Sequence, residues 1–299
     1  MRHFNFSNDN YIEFKGSKSF LIGADIHYFR IDPEHWRDRI QKAIDMGCNA
    51  ISIYIPWAAH EVEDNSFDFD GTTHPRRNLI AFLELAKEFD IAMIAKPGPY
   101  VYSELPAQGL PEWFVNAYPE CWAQTWDGKN FVPMVEENCH AVSYLHPVYQ
   151  KFAQRWLSKV LSTIKPYQRS QNGTIEAVQI CNEISGVHVW LAGYDSHPDS
   201  MQFGKEDGLY AEFFKAKYKT IEAVNNAHNA KYKTFADVAV PLMGKHADSE
   251  KNRNLANDYA EFYYNSYIPK YVDWLIKQFK YYGITEQLIT NIAFPEMVV

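Results

Sequence analysis

Residues 20–61 read FLIGADIHYFRIDPEHWRDRIQKAIDMGCNAISIYIPWAAHE and contain one complete strand–helix–strand unit. Phe20 to Ala24 is a short apolar run of the kind that makes a buried strand. Asp32-Pro33-Glu34 then offers an N-cap followed by proline at the first helical position. Trp36, Ile40, Ala43 and Ile44 fall on one helical face, and Gly47 stands where a C-cap belongs. Ala50-Ile-Ser-Ile-Tyr54 is the next apolar run, so the chain has returned to a second, parallel strand.

The same beat continues downstream. Leu79, Phe82, Leu83 and Ala86 predict a second helix, and Ile91-Ala-Met-Ile-Ala95 a third strand. Val148, Phe152, Trp156 and Val160 mark a third helix, and Ile175 to Ile180 a fourth strand. Upstream, residues 11–22 read as a hairpin around Gly16. Strands alternating with amphipathic helices make a parallel α/β sheet, either doubly wound or closed as a (β/α)8 TIM barrel. No Gly-rich phosphate turn follows the first strand, and every strand runs into a loop rich in Tyr, Trp, His, Asn and Glu. Both features favour the barrel, whose chemistry gathers at the strand ends. After strand four the rhythm breaks. Residues 187–283 read as a helical insertion, including Tyr210 to Ala230 and Tyr259 to Tyr282, and Gln287–Asn291 is the one later strand run. The expectation is one catalytic domain over 1–299, a barrel truncated after about five strands, although a barrel typically needs only ~250 residues.

With 37 acidic and 29 basic residues the net charge is −8, which argues against a nucleic-acid partner. No stretch reaches the ~18–20 apolar residues of a membrane span, and the N-terminus has no signal-like apolar core. Cys48, Cys121, Cys139 and Cys181 are widely spaced, so they read as reduced thiols in a cytoplasmic protein. Eleven histidines fall in no metal-ligand spacing, and no phosphate or nucleophile-elbow motif is present. Neither metal nor cofactor is expected.

The four strand ends read Asp25-Ile-His-Tyr-Phe-Arg30, Pro56-Trp-Ala-Ala-His-Glu61, Lys96-Pro-Gly-Pro-Tyr-Val-Tyr-Ser-Glu104 and Gln179-Ile-Cys-Asn-Glu-Ile-Ser-Gly186. Carboxylates on different strands amid aromatic side chains suit glycoside hydrolysis. One carboxyl protonates the leaving oxygen, and a second attacks or stabilises the oxocarbenium-like centre. Trp57, Tyr100 and Trp113 offer faces to a sugar ring.

IHYFRIDPEHWRDRIQKAIDMGCNAISIYIPWAAHE, KPGPYVYSELPAQGLPEWF and QICNE together resemble the catalytic barrel of family 35 glycoside hydrolases, the β-galactosidases of clan A. The resemblance is dense over residues 10–186. Beyond it, the inserted helices with Tyr218-Lys-Thr-Ile-Glu-Ala-Val and Phe235-Ala-Asp-Val are more similar to family 42. The resemblance implies retaining cleavage of terminal β-galactosides, with Glu183 as acid/base. It implies that Asn182 bonds the sugar hydroxyl next to the reacting carbon, and that Tyr28, Tyr102, Ser103 and Glu104 line the sugar subsite. The chain departs from the family at Cys181, at Ile184-Ser185-Gly186 and at Tyr102-Ser103-Glu104-Leu105, all in or beside that subsite. Other clan sugars (β-glucoside, β-mannoside, arabinoside) and a non-catalytic sugar-binding barrel therefore stay open.

Structural readings stand beside these. Glu104 has an alternative as the ion-pair partner of Lys96 or Arg30, and Trp57 as a core residue. His27 and His60 read as residues that hold the rim together, and Glu61 as a structural residue near the second loop. The resemblance also implies that the second carboxylate of a retaining site comes from the end of strand seven, which the sequence does not reach in this count. Glu296 is the alternative nucleophile if Gln287–Asn291 is strand seven. The expected partner is a carbohydrate substrate, and an unclosed sheet leaves homo-oligomerisation open.

Overall fold

Asn49 decides where the first strand of the main sheet begins. Its Oδ1 accepts from the Ile22 amide at 2.8 Å, and its Nδ2 donates to the Phe20 carbonyl at 2.8 Å. The backbone of residues 20–22 is thus bonded to a side chain, and strand pairing starts only at Gly23. The expected strand over Phe20–Ala24 is displaced accordingly, and Phe20 and Ile22 are exposed.

The computed structural model describes residues 4–6, 12–14, 17–129, 141–186, 188, 194–241 and 250–291. In chain order the strands are β1 (Phe4–Phe6), β2 (Ile12–Phe14), β3 (Ser17–Ser19), β4 (Gly23–Asp25) and β5 (Ala50–Tyr54). They continue as β6 (Glu61–Glu63), β7 (Ser66–Phe67), β8 (Ala92–Lys96), β9 (Ile175–Gln179) and β10 (Gln287–Ile289). β1, β2 and β3 form an antiparallel sheet, which contains the expected hairpin. The main sheet runs β10-β9-β8-β5-β4, with every neighbouring pair parallel.

This is an α/β fold built on the strand order of a TIM barrel. Helices α1 (Trp36–Asp45), α2 (Trp57–His60), α3 (Leu79–Glu88), α4 (Glu112–Ala117) and α5 (Pro147–Ile164) follow their strands. Pro33 opens a 3-10 turn ahead of α1, while Asp32 pairs with Arg76 instead of capping. Asn78 caps α3, accepting from the Ala81 amide at 2.9 Å. Leu79, Phe82, Leu83 and Ala86 on α3 are fully buried, as their spacing requires. β5 and β8 alternate in the sheet. Ile51, Ile53, Met93 and Ala95 are buried, whereas Ser52, Tyr54, Ile94 and Lys96 are half-buried. One face is therefore apolar, and the other carries polar side chains towards the strand ends.

The described residues gather into two compact units. One draws on Met1–Ala117, Gln154–Asn182 and Ile276–Asn291, and contains the whole parallel sheet. The other draws on Tyr118–Ala153 and Glu183–Leu275. Its helices span Leu209–Tyr218 and Ile221–His228, separated at Lys219 (φ 67°) and restarted by Thr220 as N-cap. Glu250–Phe262 runs through a π turn at Tyr263–Tyr267 into Ile268–Tyr281. Tyr259, Tyr263, Tyr267 and Tyr271 repeat every four residues and are all fully buried. A strict four-residue repeat outruns the 3.6-residue turn, and the wider π turn absorbs the drift so that one face stays inward. This tyrosine stripe is core. Among the described residues no strand lies between β9 and β10, and no helix is long and apolar enough to cross a membrane.

Candidate active site

The polar face of the sheet ends in a connected set of side chains. Lys96, last residue of β8, places Nζ 3.0 Å from Asp25 Oδ1 and 4.3 Å from the centre of the Tyr54 ring. Register explains the meeting: Tyr54 lies opposite Lys96, and Asp25 opposite Ser52, whose hydroxyl donates to the Asp25 carboxylate. Partial burial would raise the Asp25 pKa, but the Ser52 bond and the Lys96 charge outweigh it and hold the carboxyl below its usual range.

Tyr54 reaches from this cluster to Asn182, its hydroxyl 3.5 Å from Oδ1. Asn182 is buried and held from three sides. Gln179 donates from Nε2 to the same Oδ1 at 2.7 Å, and Asn182 Nδ2 donates to the Val101 carbonyl at 3.0 Å. Gln179 Nε2 also lies 3.1 Å from the Cys181 carbonyl and 3.2 Å from Asn291 Oδ1. Gln179, Tyr54, Lys96 and Asp25 were not among the sequence candidates. Their place at the C-terminal ends of apolar strands was the available signal.

Glu183 follows Asn182 directly. It is half-buried with φ 46°, between Cys181 (φ 59°) and Ser185 (φ 77°), and its carbonyl accepts from the Gly186 amide at 2.9 Å. Three non-glycine residues in the left-handed region within five positions make a sharply turned segment, a costly conformation of the kind found at functional sites.

The loop after β8 has the same character. Tyr102 (φ 56°), Ser103 (φ 55°) and Glu104 (φ 48°) turn successively left-handed. The Tyr102 amide donates to the Gln108 carbonyl at 3.1 Å, and the Leu105 amide to the Tyr102 carbonyl at 3.2 Å. Gly109 (φ 86°) closes the turn, where an added Cβ would lie 2.4 Å from Val101 Cγ2. Glu104 projects from this loop exposed. Neither basic residue weighed as its partner takes it: Lys96 pairs with Asp25, and Arg30 Nη2 donates to the Ser103 carbonyl at 3.0 Å.

Tyr28, to which the resemblance gives a sugar-lining position, is buried in the core. A 3-10 turn over Tyr28–Arg30 swings it inward, and it is 0% exposed. Its ring stacks on Phe82, centroids 5.3 Å apart, and its hydroxyl bonds His60 Nε2. Tyr54 occupies the rim in its place. His60 is buried as well, with Nδ1 2.6 Å from the Asp68 carbonyl, and burial brings its pKa down to about 4. Glu61 is fully buried and accepts from Trp57 Nε1, from the Asn65 amide at 2.8 Å and from Arg155. Burial pushes its carboxyl up. Trp57 is core, stacked on Trp156 at 6.2 Å. His60, Glu61 and Trp57 therefore support the rim from beneath. Glu296 lies outside the described residues, as does Cys139.

Residues 12–144 match the family described as glycosyl hydrolases family 35. Residues 12–144 thus belong to a family 35 glycoside hydrolase domain. The chain is 35% identical to a beta-1,2-glucosyltransferase of Ignavibacterium album over 96% of this chain and 38% of that protein. It is 31% identical to an exo-beta-D-glucosaminidase of Pyrococcus horikoshii over 74% of this chain and 28% of that one. The chain thus spans well under half the length of these curated relatives. Among solved structures, the beta-galactosidase of the psychrophilic Marinomonas ef1 superposes with a TM-score of 0.67 at 14% identity, covering 91% of this chain and 37% of that one. That likeness concerns the fold, and it agrees with the parallel sheet.

Proposed function

We propose that this family 35 domain acts on β-linked hexopyranosides by double displacement, with Glu183 as the acid/base. The observation that carries the reading is the clamped Asn182. Gln179 and the Val101 carbonyl fix its amide at the end of β9, one residue before a half-buried carboxyl on a sharply turned backbone. Asn182 would orient the hydroxyl next to the reacting carbon, and Ser103 and Glu104 would line the sugar subsite.

In the first step the Glu183 carboxyl protonates the glycosidic oxygen while the C1–O bond breaks and a carboxylate takes the anomeric carbon. In the second step Glu183, now ionised, removes the proton from the incoming hydroxyl as the C1–carboxylate bond breaks. With water the result is hydrolysis, and with a sugar hydroxyl it is transfer. Terminal β-galactosides are the first substrate class, from the dense motif resemblance. Gluco-configured donors are the second. The curated relatives named for glucosyl transfer and glucosaminide cleavage cover the larger shares of this chain, and the changes at Cys181 and Tyr102–Leu105 fall beside the proposed subsite.

The test is a panel of aryl β-galactoside, β-glucoside and β-glucosaminide with a full-length version of the protein that supplies the second carboxylate, as wild type and as Glu183→Gln. A loss of ~10²–10⁴ in turnover with an unchanged circular dichroism spectrum is expected. Titration with galacto- and gluco-configured iminosugars gives a second readout, in which the variant should bind more weakly. Equal turnover, or equal iminosugar affinity, in wild type and variant would sink the assignment of Glu183.

A further inference from the structure

We propose that His146, His197 and Asp199 form a binding site for a divalent transition-metal ion of the zinc class, apart from the sugar-cleaving chemistry. All three residues belong to the second compact unit. Each offers a ligand atom, and these atoms lie within 4.8 Å of one another, with His146 Nε2 3.7 Å from Asp199 Oδ2. Tetrahedral ligation with bonds of ~2.0–2.2 Å places donor atoms about 3.3 Å apart, so modest side-chain movement closes the set.

The second observation is the state of His146. Its side chain is 5% exposed, yet Nδ1 has no hydrogen-bond partner, and Nε2 faces only the distant Asp199 oxygen. A buried imidazole nitrogen with no partner is costly, and a metal ion bound through it would remove that cost. The carboxylates of Asp199, Glu120 and Asp195 surround His146 with negative potential.

The ligands are also held in place before any ion arrives. Buried Asp195 accepts from the His197 amide at 3.0 Å through Oδ1, and its Oδ2 takes the hydroxyls of Ser143 and of Tyr267, the latter at 2.7 Å. Ser143 in turn accepts the His146 amide at 3.1 Å. One carboxylate thus ties together the backbone segments that carry both histidines, as supporting hydrogen bonds do around metal sites. His197 Nδ1 accepts a long, 3.2 Å bond from the Asp199 amide. Coordination either takes that lone pair or moves the ring proton onto Nδ1, and in both cases only this weak bond is given up. The acid side chain is exposed, which leaves an outward position for water as fourth ligand.

The test titrates Co2+ into the EDTA-treated 299-residue chain and follows the visible absorption of tetrahedral cobalt. One saturable site, displaced by Zn2+, is expected. His146→Ala should weaken Co2+ binding at least about tenfold. Asp199→Asn, a surface change that leaves folding intact, should also weaken it. With eleven histidines in the chain, the variants separate this site from scattered surface binding. The same cobalt affinity in wild type and both variants, or no saturable site, overturns the proposal.

Discussion

Gln179 Nε2 donates to Asn182 Oδ1 across 2.7 Å, and this bond sets which edge of the Asn182 amide faces the Val101 carbonyl. Reversing the amide would aim an NH2 group at the Gln179 NH2 and the Asn182 oxygen at a carbonyl. Gln179 therefore acts through Asn182, as a positioning residue. Gln179→Met keeps the side-chain length and removes the donor. The buried Asn182 oxygen would lose its best partner, at a cost of about 1–3 kcal/mol in urea unfolding. On the proposed function, turnover of an aryl glycoside should fall ~10-fold or more, chiefly in kcat, because misplacement of an orienting group weakens the transition state. Gln179→Glu should not rescue it, since an ionised carboxylate has no proton to donate. Wild-type kcat in Gln179→Met would remove Gln179 from the site.

Much of the sheet could be read in advance, and much of the polar cluster could not. Ala50–Tyr54, Ile91–Ala95 and Ile175–Ile180 are apolar runs bounded by turn residues, and each becomes a strand within one residue of its expected span. Burial drives that pattern, so composition alone carries it. The cluster depends on side chains from β4, β5, β8 and β9 meeting across the sheet, and register appears only on folding. Tyr28 and Tyr54 illustrate the limit. Tyr54 closes an apolar run and Tyr28 stands four residues beyond one, but the 3-10 turn over Tyr28–Arg30 turns Tyr28 into the core, while the extended backbone of β5 leaves Tyr54 at the rim. His146 and His197 likewise lie far apart in sequence, and Asp195 joins their segments.

Glu61 and Glu183 should part company under the same substitution. Glu61 is fully buried, and Glu61→Gln would take one carboxylate from Arg155, which keeps its Asp64 pair, while one acceptor oxygen becomes a donor facing donors. Loss of about 2–4 kcal/mol in stability is expected, with kcat per folded molecule little changed. Glu183→Gln should do the opposite. A Glu61→Gln protein as stable as wild type would show that the buried carboxyl is not what holds the second loop.

His60 makes stability depend on pH. Burial outweighs its Asp68 carbonyl bond and keeps its pKa at about 4, against about 6.5 in an unfolded chain. Between these values the unfolded state binds a proton that the folded state refuses. The His60 contribution is therefore complete above about pH 6.5 and is lost as pH falls through about 4. By pH 5 the loss is about 2 kcal/mol. Urea midpoints at pH 7.5 and 5.0 should drop by a larger step in the wild type than in His60→Gln, which titrates nothing. Equal steps would contradict a neutral, buried His60.

Lys96 carries the charge of the polar cluster, and Lys96→Met should be read by titration before stability. The Asp25 carboxyl keeps its Ser52 bond but loses the ammonium that helps hold its pKa low, so its pKa should rise. Carbon-detected NMR of the Asp25 carboxyl checks this directly. The Asp25 side chain is 49% exposed, so solvent screening limits the cost of the lost pair to below about 1 kcal/mol. The Tyr54 ring also loses the ammonium 4.3 Å from its centre, a contact worth about 0.5–1 kcal/mol in a partly wet site. Freed on that side, Tyr54 should wander from Asn182, and sugar affinity should weaken by a larger factor than stability predicts. An Asp25 pKa unmoved by Lys96→Met would mean that the ammonium does not help hold it low.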